Sequence, residues 1–363
     1  MGTVLETGVT GEGAEMAQSP GLVRAAVAGS TGYVGRELLT LLARHPGVRL
    51  ARLMSSGKDG KGPRPLGQSH PTLRDRSALS IQPLELDGLT KEALDVIFLA
   101  TPHETAHDVV PELLARGLRV IDLSGAFRLK EAAAYPRWYG FEHHAVAPLA
   151  EAVYGLTELN AAAIRGARLV SNPGCYATSI ILALAPLLRA GWADVAAGII
   201  GDAKSGASGA GRAVNEKLHF VEVNENCRAY GLFQHRHVPE MIQALNLTEE
   251  VFTFTPHLLP VTRGILSTVY VRLNAPRALA EVANLFSNFY AAAPLVRVHA
   301  DGTLPEIQSV AATNYADLGF ALDRSGRRLI VVSCLDNLGK GAAGQAIQNL
   351  NLMYGFAEET ALL

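Results

Sequence analysis

The sequence has few of the features that would place it among disulfide-bonded, membrane-spanning or nucleic-acid-binding proteins. Its three cysteines include no C-x-x-C pair, which argues against a disulfide framework and a thiolate zinc site and favours a reducing compartment. No stretch approaches the roughly 18 consecutive apolar residues of a membrane-spanning helix. The net charge of −2 gives no electrostatic footprint for nucleic acid or an acidic membrane surface. We therefore expect a soluble, cytoplasmic protein without a nucleic-acid or membrane partner.

The length and the apolar content are sufficient for two domains. The chain has 363 residues, of which 48% are hydrophobic. Residues 1–21 are expected to be a disordered leader. The first twenty residues contain four glycines and the acidic residues Glu6, Glu12 and Glu15, but neither the basic start nor the apolar stretch of a signal peptide.

A glycine-rich turn follows the first apolar run, residues 22–28, and leads directly into a helical pattern at residues 36–42. Strand, glycine turn and helix in this order are typical of a dinucleotide fingerprint, because the glycines let the backbone approach a pyrophosphate at the helix N-terminus. An ordinary tight turn is the alternative. The predicted cofactor-binding residues of the turn are Gly29, Ser30, Thr31, Gly32, Tyr33, Val34 and Gly35.

The second predicted strand, residues 48–54, ends where an NAD enzyme would place an acidic residue for the ribose hydroxyls. This sequence instead offers Ser55, Ser56 and Lys58. Hydroxyls and cations suit a 2′-phosphate, so we predict NADP(H) as the cofactor. A solvated basic loop is the alternative, and Asp59 leaves NAD open.

Strand and helix patterns alternate up to about residue 123, with further apolar strands at residues 93–100 and 118–123. This alternation predicts an α/β, Rossmann-type domain with a doubly wound parallel sheet, whose ligands bind at the carboxyl ends of the strands. Arg128 comes just after such an end. It could clamp a phosphate or carboxylate, or merely pair with a surface acid.

Cys175 lies within the stretch Ser-Asn-Pro-Gly-Cys-Tyr-Ala-Thr, residues 171–178, between a short strand and an apolar helix. The predicted helix N-terminus favours the thiolate over the thiol, which suits a nucleophile. The alternative is that Cys175 is a small buried hydrophobe. His235 and His237 flank Arg236 in a segment predicted to be extended, and one of the two could serve as the base, although a lone histidine is usually structural.

The remainder of the chain predicts an α+β region and a return to parallel-sheet character. Residues 201–212 are rich in glycine and serine and could wrap an anion with backbone amides, or form a surface loop. Residues 251–254 and 265–273 read as strands of a largely antiparallel sheet. Residues 328–334 read as a buried strand that returns to the parallel sheet, and the final helix follows it. The predicted nicotinamide contacts there are Asn337, Gly341 and Gln345, and the alternative is that these glycines and amides simply allow close helix packing.

A competing pattern is His103-Glu104-x-x-His107, which matches the zinc-peptidase arrangement of two histidines one helical turn apart and a glutamate that activates water. Pro102 immediately precedes it and places His103 in the first turn of the helix. Because that chemistry needs both histidines well inside a rigid helix, we predict no metal site here.

Five ordered motifs resemble the N-acetyl-gamma-glutamyl-phosphate reductase family of arginine biosynthesis, over nearly the whole chain beyond residue 22. The motifs are Gly-Ser-Thr-Gly-Tyr-Val-Gly (29–35), Ser-Asn-Pro-Gly-Cys-Tyr-Ala-Thr (171–178), Asp-Ala-Lys-Ser-Gly-Ala-Ser-Gly-Ala-Gly-Arg (202–212), His-Arg-His-Val-Pro-Glu (235–240) and Lys-Gly-Ala-Ala-Gly-Gln-Ala (340–346). The wider family includes aspartate-semialdehyde dehydrogenase, whose catalytic histidine follows a Val-Pro-Val-x-x-Gly segment. Ile265 stands at that position here, which favours the glutamyl enzyme.

The resemblance implies a semialdehyde dehydrogenase-like fold in which residues 22–172 and 333–363 bind NADP and residues 173–332 form a catalytic and dimerisation domain. It implies that Cys175 attacks an acyl phosphate, that NADPH reduces the resulting thioester, and that His235 or His237 is the acid/base. We predict further cofactor contacts by Ser205 and Gly206. The predicted substrate contacts are Arg128, Asn172, Glu222 and Arg236.

Several alternatives stay open at this stage. The acyl-phosphate substrate could be acetylglutamyl, aminoadipyl, aspartyl or bound to a carrier protein. A zinc peptidase and a non-enzymatic NADP-binding sensor are the rivals from other classes. Related enzymes assemble as homodimers or homotetramers, so we expect one of these assemblies.

Overall fold

The computed structural model describes residues 21–55, 62–74 and 78–363. The strands are β1 (Val23–Ala28), β2 (Val48–Ser55), β3 (Arg64–Pro65), β4 (Ser80–Pro83), β5 (Val96–Leu99), β6 (Arg119–Asp122), β7 (Val153–Tyr154), β8 (Leu169–Ser171), β9 (Ile199–Gly206), β10 (Arg228–Ala229), β11 (Phe252–Leu259), β12 (Ile265–Arg272), β13 (Val296–Val298), β14 (Ala316–Leu322) and β15 (Arg328–Leu335). The helices are α1 (Tyr33–Leu42), α2 (Leu66–Ser69), α3 (His103–Ala115), α4 (Tyr135–Tyr139), α5 (Val146–Glu151), α6 (Thr157–Gly166), α7 (Cys175–Arg189), α8 (Phe220–Val223), α9 (Val238–Leu245), α10 (Leu279–Phe289), α11 (Ile307–Val310) and α12 (Gly344–Tyr354). A π-helical turn, Gly339–Ala343, joins β15 to α12.

The first eight strands form one sheet in the order β3-β4-β2-β1-β5-β6-β8-β7. Its pairs are parallel except for the short antiparallel pair β3–β4. The central strands are apolar over most of their length and buried on both faces, as strands of a parallel sheet covered by helices must be. The chain reverses its direction across the sheet at β1, which creates a switch point between β1 and β5. The predicted Rossmann-type fold is confirmed.

The other seven strands form a mixed sheet in the order β10-β11-β9-β12-β15-β14-β13. Buried and partly exposed residues alternate along β11 and β12, so one face packs on the core and the other does not. The prediction that residues 328–334 return to the parallel sheet was wrong, because β15 pairs antiparallel with both β12 and β14. Its apolar run reflects burial in the middle of this sheet.

Two segments are more regular than the sequence predicted. Residues 199–206 form strand β9, which pairs with β11 and β12, so only the end of the glycine- and serine-rich stretch is a loop. Strand β11 continues through Pro256 as far as Leu259. It pairs with the parallel strand β9 along its whole length, and its other neighbour, β10, is only two residues long.

Two helices carry the chain between the sheets. Helix α7 begins directly after β8 of the first sheet, and its residues 176–187 are buried in the core beneath the second sheet. Helix α12 follows β15 of the second sheet, and Ile347 and Leu350 belong to the core of the first. The predicted boundary at residue 333 falls inside β15, so we propose that the chain returns after Leu335. The rest of the division into domains stays a prediction. None of the helices among the described residues is long and apolar enough to cross a bilayer.

Candidate active site

A cavity of about 560 Å³ lies at the N-terminal end of α7, between α7, α9 and the ends of β9 and β11. Six residues that the sequence singled out line it together. They are Cys175, Ser205, Gly206, His235, Arg236 and His237. Residues more than 50 positions apart along the chain therefore meet around the predicted nucleophile.

Cys175 is the first residue of α7, and Gly174 is the extended N-cap residue before it. A β-carbon built on Gly341 would lie 2.7 Å from the β-carbon of Cys175, so the π-helical turn packs directly against the cysteine and needs a glycine there. Burial raises the pKa of the Cys175 thiol to about 11, although the Tyr176 N–H and the charges of Arg128 and Arg236 act in the opposite direction. The helix terminus thus does not yield a standing thiolate, and the thiol needs a base.

His237 and His235 are the candidate bases, with ring centroids 4.7 Å apart. A β-carbon on Gly174 would lie 2.4 Å from His237 Nε2, so this imidazole rests against the turn that carries Cys175. The His237 N–H donates to His235 Nδ1 at 3.1 Å, which puts the proton of neutral His235 on Nε2. Burial lowers the pKa of His235 to about 4 and that of His237 well below its usual value, with the charge of Arg236 acting in the same direction. Both rings are therefore neutral near pH 7 and able to accept a proton.

Glu240 is a site residue that the sequence analysis missed. Its fully buried carboxylate accepts hydrogen bonds from the Gly174 N–H and the Tyr154 hydroxyl, both at 2.9 Å, and pairs with Arg128 at 2.9 Å. Helix α9 starts directly after His237, and Glu240 lies in its first turn. Glu240 therefore joins the start of this helix to the turn that carries Cys175. Its position at the end of the His-Arg-His-Val-Pro-Glu motif was the available signal.

Arg128 is held by protein groups in this structure. Besides Glu240, its guanidinium donates to the carbonyl oxygens of Asn172 at 2.9 Å and Leu123 at 3.1 Å, and the residue is only 8% exposed. Asn172 is also buried, and its side chain donates to the Ala342 carbonyl. Neither residue lines the cavity. Their predicted contacts with substrate stay predictions. In this structure the contacts of both residues support the segment that precedes Cys175.

Positive charge lines the cavity. Arg236 is joined there by Lys217 and Arg228, which the sequence analysis did not single out, and the lining contains no aspartate or glutamate among the described residues. Glu222 lies exposed on α8, outside this lining. Its predicted substrate contact stays a prediction. The two missed cations carried no sequence signal, because they come from a polar loop and a two-residue strand.

The three glycines of the dinucleotide turn meet different constraints. Gly29 has φ +84°, and a β-carbon there would lie 2.1 Å from the Ala100 carbonyl oxygen, while a β-carbon on Gly35 would lie 2.2 Å from the Gly29 carbonyl oxygen. Gly32 has an ordinary φ of −77°, and the nearest neighbour of a β-carbon would be 3.5 Å away. The protein itself would therefore accept a side chain at Gly32, and the space in front of α1 suits the close approach of a pyrophosphate.

Other features of the first sheet fit a dinucleotide. Thr101 follows β5 at the switch point, and its buried hydroxyl has no hydrogen-bond partner among the described residues. Ser55 is buried at the end of β2, whereas Ser56 and Lys58 lie outside the described residues. The Ser30 hydroxyl donates to the Val27 carbonyl, and the Thr31 carbonyl accepts from Arg212 at 2.8 Å. These contacts hold the turn in place. The first-turn N–H groups of α1 have no intrahelical partners, as at the start of any α-helix.

The remaining predicted nicotinamide contacts lie where the chain returns to the first sheet. Asn337 bridges the Gly264 N–H and the Ser208 hydroxyl. The Gln345 side-chain nitrogen donates to the Gly155 carbonyl at 3.0 Å, while its buried oxygen has no partner within the part of the chain that the structure describes. Both side chains thus have structural partners, and their contacts with a cofactor stay predictions.

The geometry at His103 and His107 is not that of a zinc site. His103 Nε2 lies 3.1 Å from the Tyr139 carbonyl oxygen, and His107 Nε2 accepts from the His144 N–H at 3.0 Å. Within residues 21–55, 62–74 and 78–363, no three histidine, cysteine or acidic side chains are grouped so that they could hold a metal ion.

Two family models match the chain. One is described as the NAD binding domain of semialdehyde dehydrogenase and matches residues 24–167, and the other as the dimerisation domain of semialdehyde dehydrogenase and matches residues 175–337. Together they cover both sheets apart from Val23 and strand β8. The chain belongs to the semialdehyde dehydrogenase family.

Curated relatives narrow this assignment. N-acetyl-gamma-glutamyl-phosphate reductase of Symbiobacterium thermophilum is 48% identical over 345 residues, which cover 94% of this chain and 97% of the relative. The reductase of the same name from Pelotomaculum thermopropionicum is 47% identical over 343 residues, again 94% of this chain and 97% of the relative. Within the family, the chain thus groups with the N-acetyl-gamma-glutamyl-phosphate reductases.

Solved structures agree on the fold. Aspartate semialdehyde dehydrogenase II from Vibrio cholerae is 19% identical with a TM-score of 0.68, and the match covers 92% of this chain and 99% of that one. Aspartate semialdehyde dehydrogenase with NADP from Candida albicans is 16% identical with a TM-score of 0.67, covering 92% and 98%. At this identity the likeness shows the shared fold.

Substitution of Gly32 tests the dinucleotide turn. We expect Gly32→Ala to raise the dissociation constant of NADP⁺ by about tenfold or more, because the methyl group enters the space of the pyrophosphate, with almost no change in Tm. Gly35→Ala is the control, and its β-carbon should lower Tm by clashing with the Gly29 carbonyl oxygen. Fluorescence titration and thermal unfolding measure the two quantities. Unchanged NADP⁺ affinity in Gly32→Ala would contradict the assignment.

The state of Cys175 is tested by alkylation. Since the thiolate is the reactive form and the pKa of the thiol is about 11, the rate of reaction with iodoacetamide should rise about tenfold per pH unit from pH 7 to pH 10 without a plateau. Mass spectrometry of the Cys175 peptide follows the rate, and Cys227→Ser removes the background of the exposed cysteine. A plateau below pH 8 would show that the cysteine is ionised in the free protein.

Proposed function

We propose that this protein catalyses the NADPH-dependent reduction of N-acetyl-gamma-glutamyl phosphate to N-acetylglutamate 5-semialdehyde, with release of phosphate, in arginine biosynthesis. The observation that carries the proposal is the meeting of Cys175 with two neutral histidines in a cavity whose charged lining residues are Lys217, Arg228 and Arg236. An acyl phosphate needs a nucleophile, a base and cations, and this cavity provides all three. The names of the curated relatives point to the same reaction.

In the proposed mechanism His237 is the acid/base, because its Nε2 lies against the turn of Cys175 while Nδ1 of His235 is engaged by a backbone N–H. His237 takes the thiol proton, and the thiolate attacks the carbonyl carbon of the acyl phosphate. The bond to the phosphate oxygen breaks, the leaving phosphate takes the proton from His237, and a thioester remains on Cys175. The cations of the cavity stabilise the departing dianion.

When bound at the glycine turn, NADPH supplies the hydride that reduces the thioester carbon. The carbon–sulfur bond then breaks, the semialdehyde leaves, and Cys175 regains a proton from solvent through His237. The hydroxyl of Ser55, and the hydroxyl and cations that follow it in the sequence, support a preference for the 2′-phosphate of NADP(H) over NAD(H). The partly enclosed cavity limits the access of water to the thioester, which would otherwise be hydrolysed.

The reverse reaction tests this function directly. Wild-type protein mixed with N-acetylglutamate semialdehyde, phosphate and NADP⁺ should produce NADPH, measured by its absorbance, and omission of phosphate should abolish the product. We expect Cys175→Ser to lower the rate at least about 10³-fold, since no thioester can form. Cys227→Ser is the matched control and should keep the wild-type rate, because Cys227 is exposed and outside the cavity lining.

The outcomes separate the alternatives. Activity with the aminoadipyl or aspartyl semialdehyde, and none with the acetylglutamyl compound, would change the substrate but keep the chemistry. NADP⁺ binding without phosphate-dependent turnover of any of the three would indicate a sensor. Full activity of Cys175→Ser would overturn the thioester mechanism.

We further propose that the chain forms a homodimer through the free face of the second sheet. Ile200 on β9 and Tyr270 on β12 are paired neighbours on this face, and they are 46% and 42% exposed. Apolar side chains on an otherwise regular sheet face are typical of an interface. The matching dimerisation-domain model spans the same strands.

Substitution on this face tests the assembly. The double variant Ile200→Asp/Tyr270→Glu should shift the molar mass in light scattering from dimer, or dimer of dimers, to a smaller species, because it buries unpaired charge in the interface. Val146→Asp is the control on the first domain, where Val146 is 64% exposed. An unchanged mass for the double variant would exclude this face.

A further inference from the structure

Arg263 lies in the loop between β11 and β12 and is held between two carboxylates. Its guanidinium donates to Asp336 at 2.7 and 3.0 Å and to Glu37 at two distances of 3.0 Å. Glu37 belongs to α1, whereas Asp336 directly follows β15. One side chain thus makes two bidentate ion pairs that bridge the two sheets. Bidentate geometry fixes orientation as well as distance, which a lysine could not do.

Each carboxylate is attached to a part of the proposed active site. Glu37 lies one turn beyond Tyr33, the first residue of α1, so it moves with the helix terminus that faces the pyrophosphate. Asp336 accepts the N–H groups of Leu338 and Gly339 at 2.8 and 2.9 Å and thereby fixes the start of the π-helical turn. That turn presses Gly341 against the β-carbon of Cys175.

The loop that carries Arg263 is itself joined to the cavity wall. The N–H groups of Gly206, Ala207 and Ser208 donate to the carbonyl oxygens of Gly264, Val261 and Thr262 at 2.9, 2.8 and 3.1 Å. A β-carbon on Gly206 would lie 2.8 Å from the Arg263 backbone nitrogen, so the loop and the end of β9 touch. Gly206 also lines the cavity around Cys175. A displacement of Arg263 would therefore be transmitted to two segments beside Cys175, the π-helical turn and the end of β9.

We propose that Arg263 is a positioning residue that couples occupation of the dinucleotide site to the geometry around Cys175. The proposal rests on the proposed function for the identity of the two sites. Binding at the glycine turn moves or stiffens α1, Glu37 transmits this to Arg263, and Arg263 transmits it to the π-helical turn through Asp336. Coupling of this kind requires a rigid contact with both ends, and the two ion pairs provide it.

The two carboxylates that Arg263 joins differ in how strongly their removal would destabilise the fold. Asp336 is fully buried, and among the described residues Arg263 is the one cation within hydrogen-bonding distance of it, so its removal would endanger folding. Glu37 is 17% exposed, and its neutral isostere leaves the pair of Arg263 with Asp336 intact. Glu37→Gln thus interrupts the bridge without leaving a buried charge unpaired.

The experiment measures how the dinucleotide site affects Cys175 without turnover. The probe is 2′-phospho-ADP-ribose, which carries the pyrophosphate and the 2′-phosphate but no nicotinamide ring that could shield the cysteine. In wild-type protein, saturation with this probe should change the alkylation rate of Cys175 at least about fivefold. In Glu37→Gln the change should fall below about 1.5-fold, while the affinity for the probe stays within about threefold of wild type.

Glu151→Gln is the matched control, because it weakens an exposed bidentate pair with Arg168, and neither of these two residues lines the cavity. It should behave as wild type. Arg263→Lys provides a second interruption that keeps a cation beside Asp336, and it should also weaken the effect. An equal effect of the probe in wild type and Glu37→Gln, no effect in wild type, or no binding would each overturn the proposal. Failure of the proposed reaction would appear separately, as absent turnover in the reverse assay.

Discussion

The buried carboxylate of Glu240 is the group on which the site depends. A fully buried charge is costly unless donors surround it, and here Arg128, the Gly174 N–H and the Tyr154 hydroxyl all converge on it. These donors come from the loop after β6, the turn before α7 and strand β7, while Glu240 itself lies in the first turn of α9. Removing one partner of such a pair typically costs about 3–5 kcal/mol. The same contacts that satisfy the charge therefore hold His237 and Cys175 at a fixed separation.

This arrangement has a consequence for reactivity. The enclosure that protects the network also removes water from the thiol and the imidazoles, so the pKa of Cys175 is raised while those of His235 and His237 are lowered. Both groups of the pair are consequently uncharged before substrate arrives. A thiol that keeps its proton reacts slowly with oxidants and unrelated electrophiles. In the proposed mechanism, the thiolate and the imidazolium form only when the acyl phosphate enters the cavity, which already contains cations.

The parts of the site that the sequence predicted are those encoded locally. Gly29 and Gly35 mark a tight strand–turn–helix unit, and Cys175 follows a short strand and starts an apolar helix, so their environments depend on near neighbours. The pairing of Glu240 with Arg128 joins positions 112 residues apart, and no local pattern encodes it. Strand β15 was assigned to the wrong sheet because an apolar run looks the same in any strand that is buried on both faces. The raised pKa of the Cys175 thiol could not be predicted for a related reason, since the helix terminus is visible in the sequence but desolvation by distant segments is not.

The two connections between the sheets meet at Cys175. The chain leaves the first sheet through the turn before α7, where Cys175 stands, and it returns through the π-helical turn, where Gly341 touches the β-carbon of Cys175. If one sheet rotates relative to the other, residues near these two connections move least, because the covalent chain limits them there. The glycine turn of α1 and the cations Lys217, Arg228 and Arg236 lie outside these two connections, so the covalent chain limits them less. Such a rotation would change the distance between a bound dinucleotide and a bound substrate but would leave the sulfur of Cys175 in place. A reaction with a covalent intermediate on that sulfur needs such a fixed point.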